Sequence, residues 1–399
     1  MKISTSAKNA ILIGGTCSVS YLAVYVARNI LSAISPQMIE DGIFTTGSIG
    51  TLSSVYFITY AVGQLINGII GDKIKAKYMI SFGLILAGIS NLVFTYGAGS
   101  LAVAYTAYAL TGFFLAMIYG PMTKVVAENT EPVYATRCSL GYTFASFFGS
   151  PAAGALAAVL AWQGVFNVSS IMLILMGGVA FLVFLLLEKK GIVQYGQYQK
   201  PKGSGGGIQL LLQHQIVKYT LVSVLTGVVR TTVVFWLPTY IAQFLGFSAE
   251  RSAMIFTVST FVISLTTFVA IFVYERLGSN MDLTVLLFFA ASAVCFLLVF
   301  LIRQPALNII FMVLAIMAAD AAATMLWSRY CPSLRDTGMV SGATGFLDFM
   351  SYMAASVSST LFANAVSAIG WENLILIWLG LMMLGVIVAL PYKKIKKAA

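Results

Sequence analysis

The chain has 399 residues, of which 59% are hydrophobic and 9% charged, and its mean hydropathy is +0.93. Soluble domains carry about 25% charged residues, so the composition excludes a soluble globular protein and points to a multi-pass membrane protein. The formal net charge of +10 does not imply a nucleic-acid partner, because the basic residues lie in loops between apolar runs rather than in one patch.

A helical span needs about 20 apolar residues. The chain divides into twelve such runs, near 10–39, 46–70, 78–97, 101–123, 138–160, 165–187, 216–241, 250–273, 283–302, 306–328, 338–365 and 372–391. The expected fold is therefore all-α, with twelve transmembrane helices. The first run follows Lys2 and Lys8 and contains Cys17 after small residues. It reads as a span rather than a removable leader, because losing it would invert every later loop. It contains "YVAR", Tyr25 to Arg28, and continues to Pro36. The second run carries Gln64 and leads into "GIIGDKIKAK", Gly68 to Lys77. In the fourth, "YGPM", Tyr119 to Met122, predicts a bend. In the fifth, Ser146 precedes "GSPAAGALAA", Gly149 to Ala158, a small-residue face suited to close packing or bending.

The segment "LEKKGIVQYGQYQKPKGSGGG", Leu187 to Gly207, is rich in Lys, Gly and Gln and reads as a flexible linker. The expected domains are thus 1–187, a linker over 188–215, and 216–399. The seventh run holds "RTTVVFWLPTY", Arg230 to Tyr240, and the eighth leads into "YERLGSN" with Glu275, Arg276 and Gly278. Asp320 stands in the tenth run and Asp348 in the eleventh.

With the N-terminus placed inside, 19 of the 23 Lys and Arg fall in inner segments, and only Arg251 and Arg303 fall in outer loops. That bias puts both termini in the cytoplasm and makes the span count even; the expected location is the plasma or inner membrane. The four cysteines, Cys17, Cys138, Cys295 and Cys331, are far apart and form no CxxC pair, and His214 ends the linker as a solvated residue. No P-loop, paired catalytic carboxylates, Ser-His arrangement or metal cluster is present in the sequence. No enzyme activity, cofactor or metal is expected.

The two halves echo each other. Arg28 and Pro36 map onto Arg230 and Pro238 at an offset of 202, and Asp72-Lys73 maps onto Glu275-Arg276 at an offset of 203. "GIFTTGSIG" has a partner in "GFSAERSA", each a glycine followed by a Ser or Thr able to cap the next helix. Two parallel six-helix repeats joined by a cytoplasmic loop resemble the major facilitator superfamily. Gly68, Asp72, Lys73 and Lys77 resemble that superfamily's G-x-x-x-D-R/K-x-G-x-R/K signature, with Lys75 where its second glycine usually sits. An acid there can face a neighbouring helix N-terminus and latch one conformation; Glu275 and Arg276 repeat the acid-base pair.

A charged residue at mid-membrane costs roughly 2.5–3.5 kcal/mol on insertion scales and is by default a functional candidate. Counting about 1.5 Å per residue, Arg28 and Arg230 lie some 15–20 Å from a helix end, on the first helix of each half. Two arginines and two aspartates could cancel as internal ion pairs, yet such pairs are weak stabilisers that apolar packing can replace. The functional reading has Arg28 and Arg230 clamp one anion, since a guanidinium's planar fork suits phosphate or carboxylate and does not titrate.

"RTTVVFWLPTY", with its R-x5-W-x-P-T-Y spacing, and "YVAR", a Y-x-x-R, are similar to the organophosphate:phosphate antiporter family. The resemblance implies exchange of glycerol phosphate or hexose phosphate for inorganic phosphate, with Arg28 and Arg230 as phosphate ligands. Two places depart from it: Gln64 stands where well-known members carry lysine, and Ser146 where they carry a span-five histidine. Tyr21, Tyr25, Tyr119, Trp236 and Tyr240 are further cavity-lining candidates, their rings stacking on a sugar. The rival readings are a proton-coupled symporter of sugar acids or other carboxylates, with Asp320 or Asp348 as the proton or charge-balancing site, and a non-transporting sugar-phosphate sensor, since the family includes one. The expected partners are a small anion, the bilayer, and phosphate or protons as the coupling ion; the expected form is a monomer.

Overall fold

The computed structural model describes residues 4–71, 74–195, 212, 214–334 and 340–391. These residues contain helices and no strand. Chains of apolar residues must satisfy their own backbone in lipid, and the helix is the form that does so within one segment.

The first helix, α1, runs Thr5–Glu40; the Ser4 hydroxyl caps it by accepting the Ala7 N–H at 3.2 Å. Its 36 residues give about 54 Å of helix against a hydrocarbon core of about 30 Å, so it tilts or overshoots. Next come α2, Thr46–Gly71, and α3, Ala76–Gly97. The fourth span, α4, covers Leu101–Asn129 and is interrupted between Leu115 and Tyr119, at the bend that "YGPM" predicts. Then α5, Pro132–Val159, starts six residues before the predicted run, with Pro132 in its first turn where no N–H is needed. The last helix of this group is α6, Trp162–Lys189.

The next helix, α7, covers Ile216–Gln243 and contains a π-helical turn at Val228–Val233. It is followed by α8, Ala249–Arg276, with a break at Leu265, and α9, Met281–Leu301. Then α10 covers Pro305–Tyr330, ending in a second π turn at Leu326–Tyr330. Finally, α11 covers Val340–Ala389 and is broken at Gly370, whose φ of 76° and ψ of 171° are not helical. That break falls between the two last predicted runs and separates them.

Ten of these helices are long and apolar enough to cross a membrane. Splitting α11 at Gly370 and adding the 28-residue α5 leaves room for the twelve expected spans.

The predicted helix caps are present in both halves. The Ser48 N–H donates to Thr45 Oγ1 at 3.1 Å, and the Arg251 N–H donates to Ser248 Oγ at 3.3 Å. The two capping residues, 45 and 248, are 203 positions apart, the offset of the acid-base pairs.

Packing divides the chain into two compact units. One consists of Met1–Lys202 with Phe235–Phe261 and Ala355–Ser367. Within it, small residues let backbones approach: a Cβ on Gly149 of α5 would lie 2.3 Å from the Tyr25 Cβ, and one on Gly154 would lie 3.0 Å from the Ala253 carbonyl. The "GSPAAGALAA" stretch is therefore a close-packing face. The other unit consists of Gly203–Val234, Val262–Ala354 and Ala368–Ala399. There, a Cβ on Gly227 would meet Ser351 Oγ at 2.3 Å, and Ser223 Oγ donates to the Leu347 carbonyl at 2.7 Å, drawing α7 onto α11.

Candidate functional site

Tyr25 and Arg28 are three apart on α1 and so share a face. The Arg28 guanidinium carbon lies 5.5 Å from the Tyr25 ring centre, 5.8 Å from Phe57 and 5.2 Å from Tyr60, the last two being three apart on α2. All three are within the roughly 6 Å over which a ring face attracts a guanidinium. The rings lower the cost of a half-buried charge without neutralising it. Bidentate contact with an anion uses the guanidinium edge, so ring packing and anion binding are compatible. Tyr108 lies within electrostatic reach of Arg28, and Gln64 follows Tyr60 by one turn on α2.

A tyrosine cluster extends from this cage. The Tyr21 ring lies 4.9 Å from Tyr25, 5.5 Å from Tyr119 and 6.1 Å from Tyr142, and Tyr119 lies 6.3 Å from Tyr142 at 90°. Tyr21 and Tyr142 are buried, while Tyr119 is 43% exposed and presents the cluster to its surroundings. The structure thus brings together Tyr21, Tyr25 and Tyr119, three of the candidates picked from sequence. It adds Tyr142, which sequence reasoning missed although it lies one turn before Ser146 on the same face of α5.

Arg230 occupies the π turn of α7. Its neighbours Val229, Thr231, Thr232 and Val233 are buried, whereas Arg230 is half-buried. A π turn accommodates one extra residue and re-aims its side chains, and such turns recur at functional sites. Helix α10 packs against this turn, and its Asp320 lies within electrostatic reach of Arg230. Asp348 lies one turn before Ser351, the residue that meets Gly227, and within electrostatic reach of Cys331. Rings thus pack on Arg28, and a carboxylate lies near Arg230.

Trp236 and Tyr240 are wholly buried, against Phe235 at 5.4 Å and Phe244 at 5.2 Å. Among the described residues, the Trp236 indole N–H has no hydrogen-bond partner, an arrangement that costs free energy when buried. Ser32 Oγ donates to the Phe235 carbonyl at 2.6 Å, joining α1 to this part of α7.

Of the expected latch, Asp72 and Lys73 lie outside the described residues, and Gly68 is in the last turns of α2. Lys77 is buried at 5% exposure and ion-pairs with Glu188 at the end of α6. Lys75 shares that carboxylate at 2.8 Å, and this hydrogen bond holds its ammonium above the ordinary lysine range. Glu188 carries no signal in the sequence for this role, because it lies 111 residues from Lys77 and beside two lysines of its own. In the second half, Glu275 and Arg276 are exposed, Arg276 lying 5.2 Å from the Phe272 ring. An ion pair in that half joins Lys218 of α7 to Asp282 of α9 at 3.1 Å, and the Tyr219 hydroxyl donates to the same oxygen at 2.7 Å. Lys77 and Asp282 are each the second residue of their helix, so both halves tie the same helix position to a neighbour, with the sign of the charge reversed.

The sequence profile of the Major Facilitator Superfamily matches residues 17–359. The phosphoglycerate transporter protein of Salmonella typhimurium is 24% identical over 382 residues, covering 88% of this chain and 82% of the transporter. The membrane sensor protein UhpC of the same organism is 33% identical over 99 residues, 25% of this chain; the match spans only 22% of the sensor's length. Among solved structures, the fold is similar to a bacterial homolog of the human lysosomal transporter Spinster, in an inward-facing and occupied conformation. That likeness has a TM-score of 0.76 at 14% identity and covers 97% of each chain.

Proposed function

Since the chain belongs to the Major Facilitator Superfamily, we propose that it is an alternating-access carrier of a small organic anion, an organophosphate or sugar phosphate exchanged for inorganic phosphate. The observation that carries this reading is the pair Arg28 and Arg230, 202 residues apart on the first helix of each repeat. Each is charged at a depth where charge is costly. In this reading Arg28 and Arg230 are the phosphate ligands. Tyr25, Gln64, Tyr119, Trp236 and Tyr240 complete the substrate site, and Gly68, Asp72, Lys73, Lys77, Glu275 and Arg276 form the conformational latches. An anion with about two charges offsets both arginines, which lowers the barrier to reorientation for the loaded carrier and leaves the empty one trapped. The likeness to a phosphoglycerate transporter across 88% of the chain supports the substrate class. In this reading the carrier is a monomer of the plasma or inner membrane with both termini in the cytoplasm, as the charge bias of its loops suggests.

Counterflow tests the exchange. Proteoliposomes preloaded with inorganic phosphate should take up labelled sugar phosphate or glycerol phosphate many times faster than empty ones, and Arg28→Ala or Arg230→Ala should abolish the difference. Equal rates in loaded and empty vesicles would remove obligatory exchange. One observation favours a second reading: Asp320, near Arg230, offsets part of the clamp's charge and supplies a titratable group, which suits proton-coupled symport of a sugar acid or other carboxylate. Uptake driven by an imposed pH gradient into vesicles free of counter-anion would select it. The sensor reading rests on the 99-residue match and is dismissed by any robust counterflow.

A further inference from the structure

We propose that the groove between α1 and α5, at the end that begins with Ala7, binds an anionic phospholipid. Its acyl chain lies along α1, and its phosphate is held by Arg137 and Lys8. The groove encloses about 280 Å³ and is lined on α1 by Ala7, Ile11, Gly14 and Gly15, and on α5 by Arg137 and Gly141. That is near the lower limit for small-molecule pockets, about 300 Å³, and fits a hydrocarbon chain.

Three observations point to lipid. The groove's α1 edge continues a line of apolar residues turned away from the polar face. Ile11 is 61% exposed and Val19 55%. At about 100° per residue, Ile11, Gly15 and Val19 lie roughly 100–180° around the helix from Arg28. In a chain that spans a bilayer, exposed apolar residues of this kind meet hydrocarbon.

The groove floor is also built to stay open. Cys138 Sγ donates to the Ala10 carbonyl at 3.4 Å, and a Cβ on Gly14 would lie 2.4 Å from that sulfur, so the helices touch beneath the groove. A Cβ on Gly15, at the groove's surface, would meet nothing within 4 Å.

The charge at the mouth is the third. Arg137 is exposed, its guanidinium 5.6 Å from the Tyr134 ring, which places it where an interfacial arginine meets a headgroup. Lys8 is exposed on α1 beside Ala7 and Ile11. The acid nearby, Glu131, already accepts a hydrogen bond from Ser6 Oγ at 2.7 Å.

Native mass spectrometry of the whole purified protein tests the proposal, using phosphatidylglycerol and phosphatidylcholine with matched chains. The wild type should retain the anionic lipid in preference to the zwitterionic one. Arg137→Gln should reduce that preference about fivefold, the worth of one basic residue at an anionic surface. Gly15→Leu should remove retention of both lipids, since the added side chain fills open space. Millimolar inorganic phosphate should not displace the lipid, which separates a lipid site from a phosphate site. Equal retention of the two lipids by the wild type, or an unchanged preference in Arg137→Gln, would mean non-specific annular lipid and overturn the proposal. Arg137 is exposed, so its replacement leaves the core intact and decides the question even if Gly15→Leu melts early.

Discussion

At the scale of single residues, Arg28 shows what an intramembrane charge needs. Tyr25, Phe57 and Tyr60 surround it at 5.2–5.8 Å, and their quadrupoles make the charge tolerable. Replacing Tyr60 with leucine keeps the position apolar but removes one ring face, which at a desolvated site is worth about 1–2 kcal/mol. Tyr60→Leu should therefore lower the melting temperature of the purified protein; an unchanged melt would mean that the ring contact contributes nothing. Arg28→Lys keeps the charge and loses the planar fork, so the proposed phosphate contact predicts that affinity for a sugar phosphate falls about tenfold or more while folding survives. Isothermal titration with a sugar phosphate reads this directly, and a wild-type Kd in the lysine variant would argue against bidentate contact. Gly227 is a different kind of residue: a Cβ there would lie 2.3 Å from Ser351 Oγ and 2.8 Å from its carbonyl. Overpacking of this sort costs about 1–3 kcal/mol. Gly227→Val should destabilise the α7–α11 crossing far more than a valine at Gly15, and differential scanning calorimetry on the two variants compares them.

At the scale of elements, α1 and α7 are repeat partners with different backbones. The residues around Arg28 are regular α-helix, whereas Arg230 sits in a π turn over Val228–Val233. Nothing in "VVRTTV" announces a π turn, because a single extra residue is accommodated by neighbours that are distant in sequence, here α10. Deleting Val229 should close the turn to α-helix and swing Arg230 by about 100° against α10. The expected result is unchanged helix content by circular dichroism together with loss of ligand-induced thermal stabilisation; a variant that still responds to ligand would show the turn to be incidental. The clasp at the end of α3 was half legible. Lys77 stood out through its motif, but its partner Glu188 lies 111 residues away and only folding brings it near. The bends at "YGPM" and the caps at Thr45 and Ser248 were legible, because they depend on neighbouring residues.

For the whole molecule, a carrier that alternates must part some helix contacts as it opens to each side. A set of hydroxyls ties α2 to the middle of α11. Ser54 Oγ donates to the Ser356 carbonyl and lies 2.6 Å from Thr360 Oγ1, and Ser356 Oγ donates to the Ser54 carbonyl at 2.9 Å. Hydroxyl contacts of this kind exchange readily for water, unlike an interlocked apolar seam. Cysteines at 54 and 360 should form a disulfide under mild oxidant, given that atoms already this close need little movement to reach the bond length of about 2.05 Å. The oxidised double variant should stop transporting substrate and resume after reduction. Undiminished transport by a fully crosslinked sample would show that this contact does not part during the cycle.

The amino-acid sequence by itself determined the membrane class, the placement of the apolar runs, the constant offset between the halves and the two arginines that break the pattern. These depend on hydrophobic length, local capping and the cost of charge, all of which can be read along one dimension. Tertiary structure alone decided that aromatic rings enclose Arg28, that Asp320 is an acid within reach of Arg230, that Tyr142 joins the tyrosine cluster, and that Glu188 and Asp282 anchor the ends of α3 and α9. Each of these depends on the rotation of one helix against another. That rotation is set by close approaches at positions such as Gly149 and Gly227, whose neighbours are more than a hundred residues away in the chain.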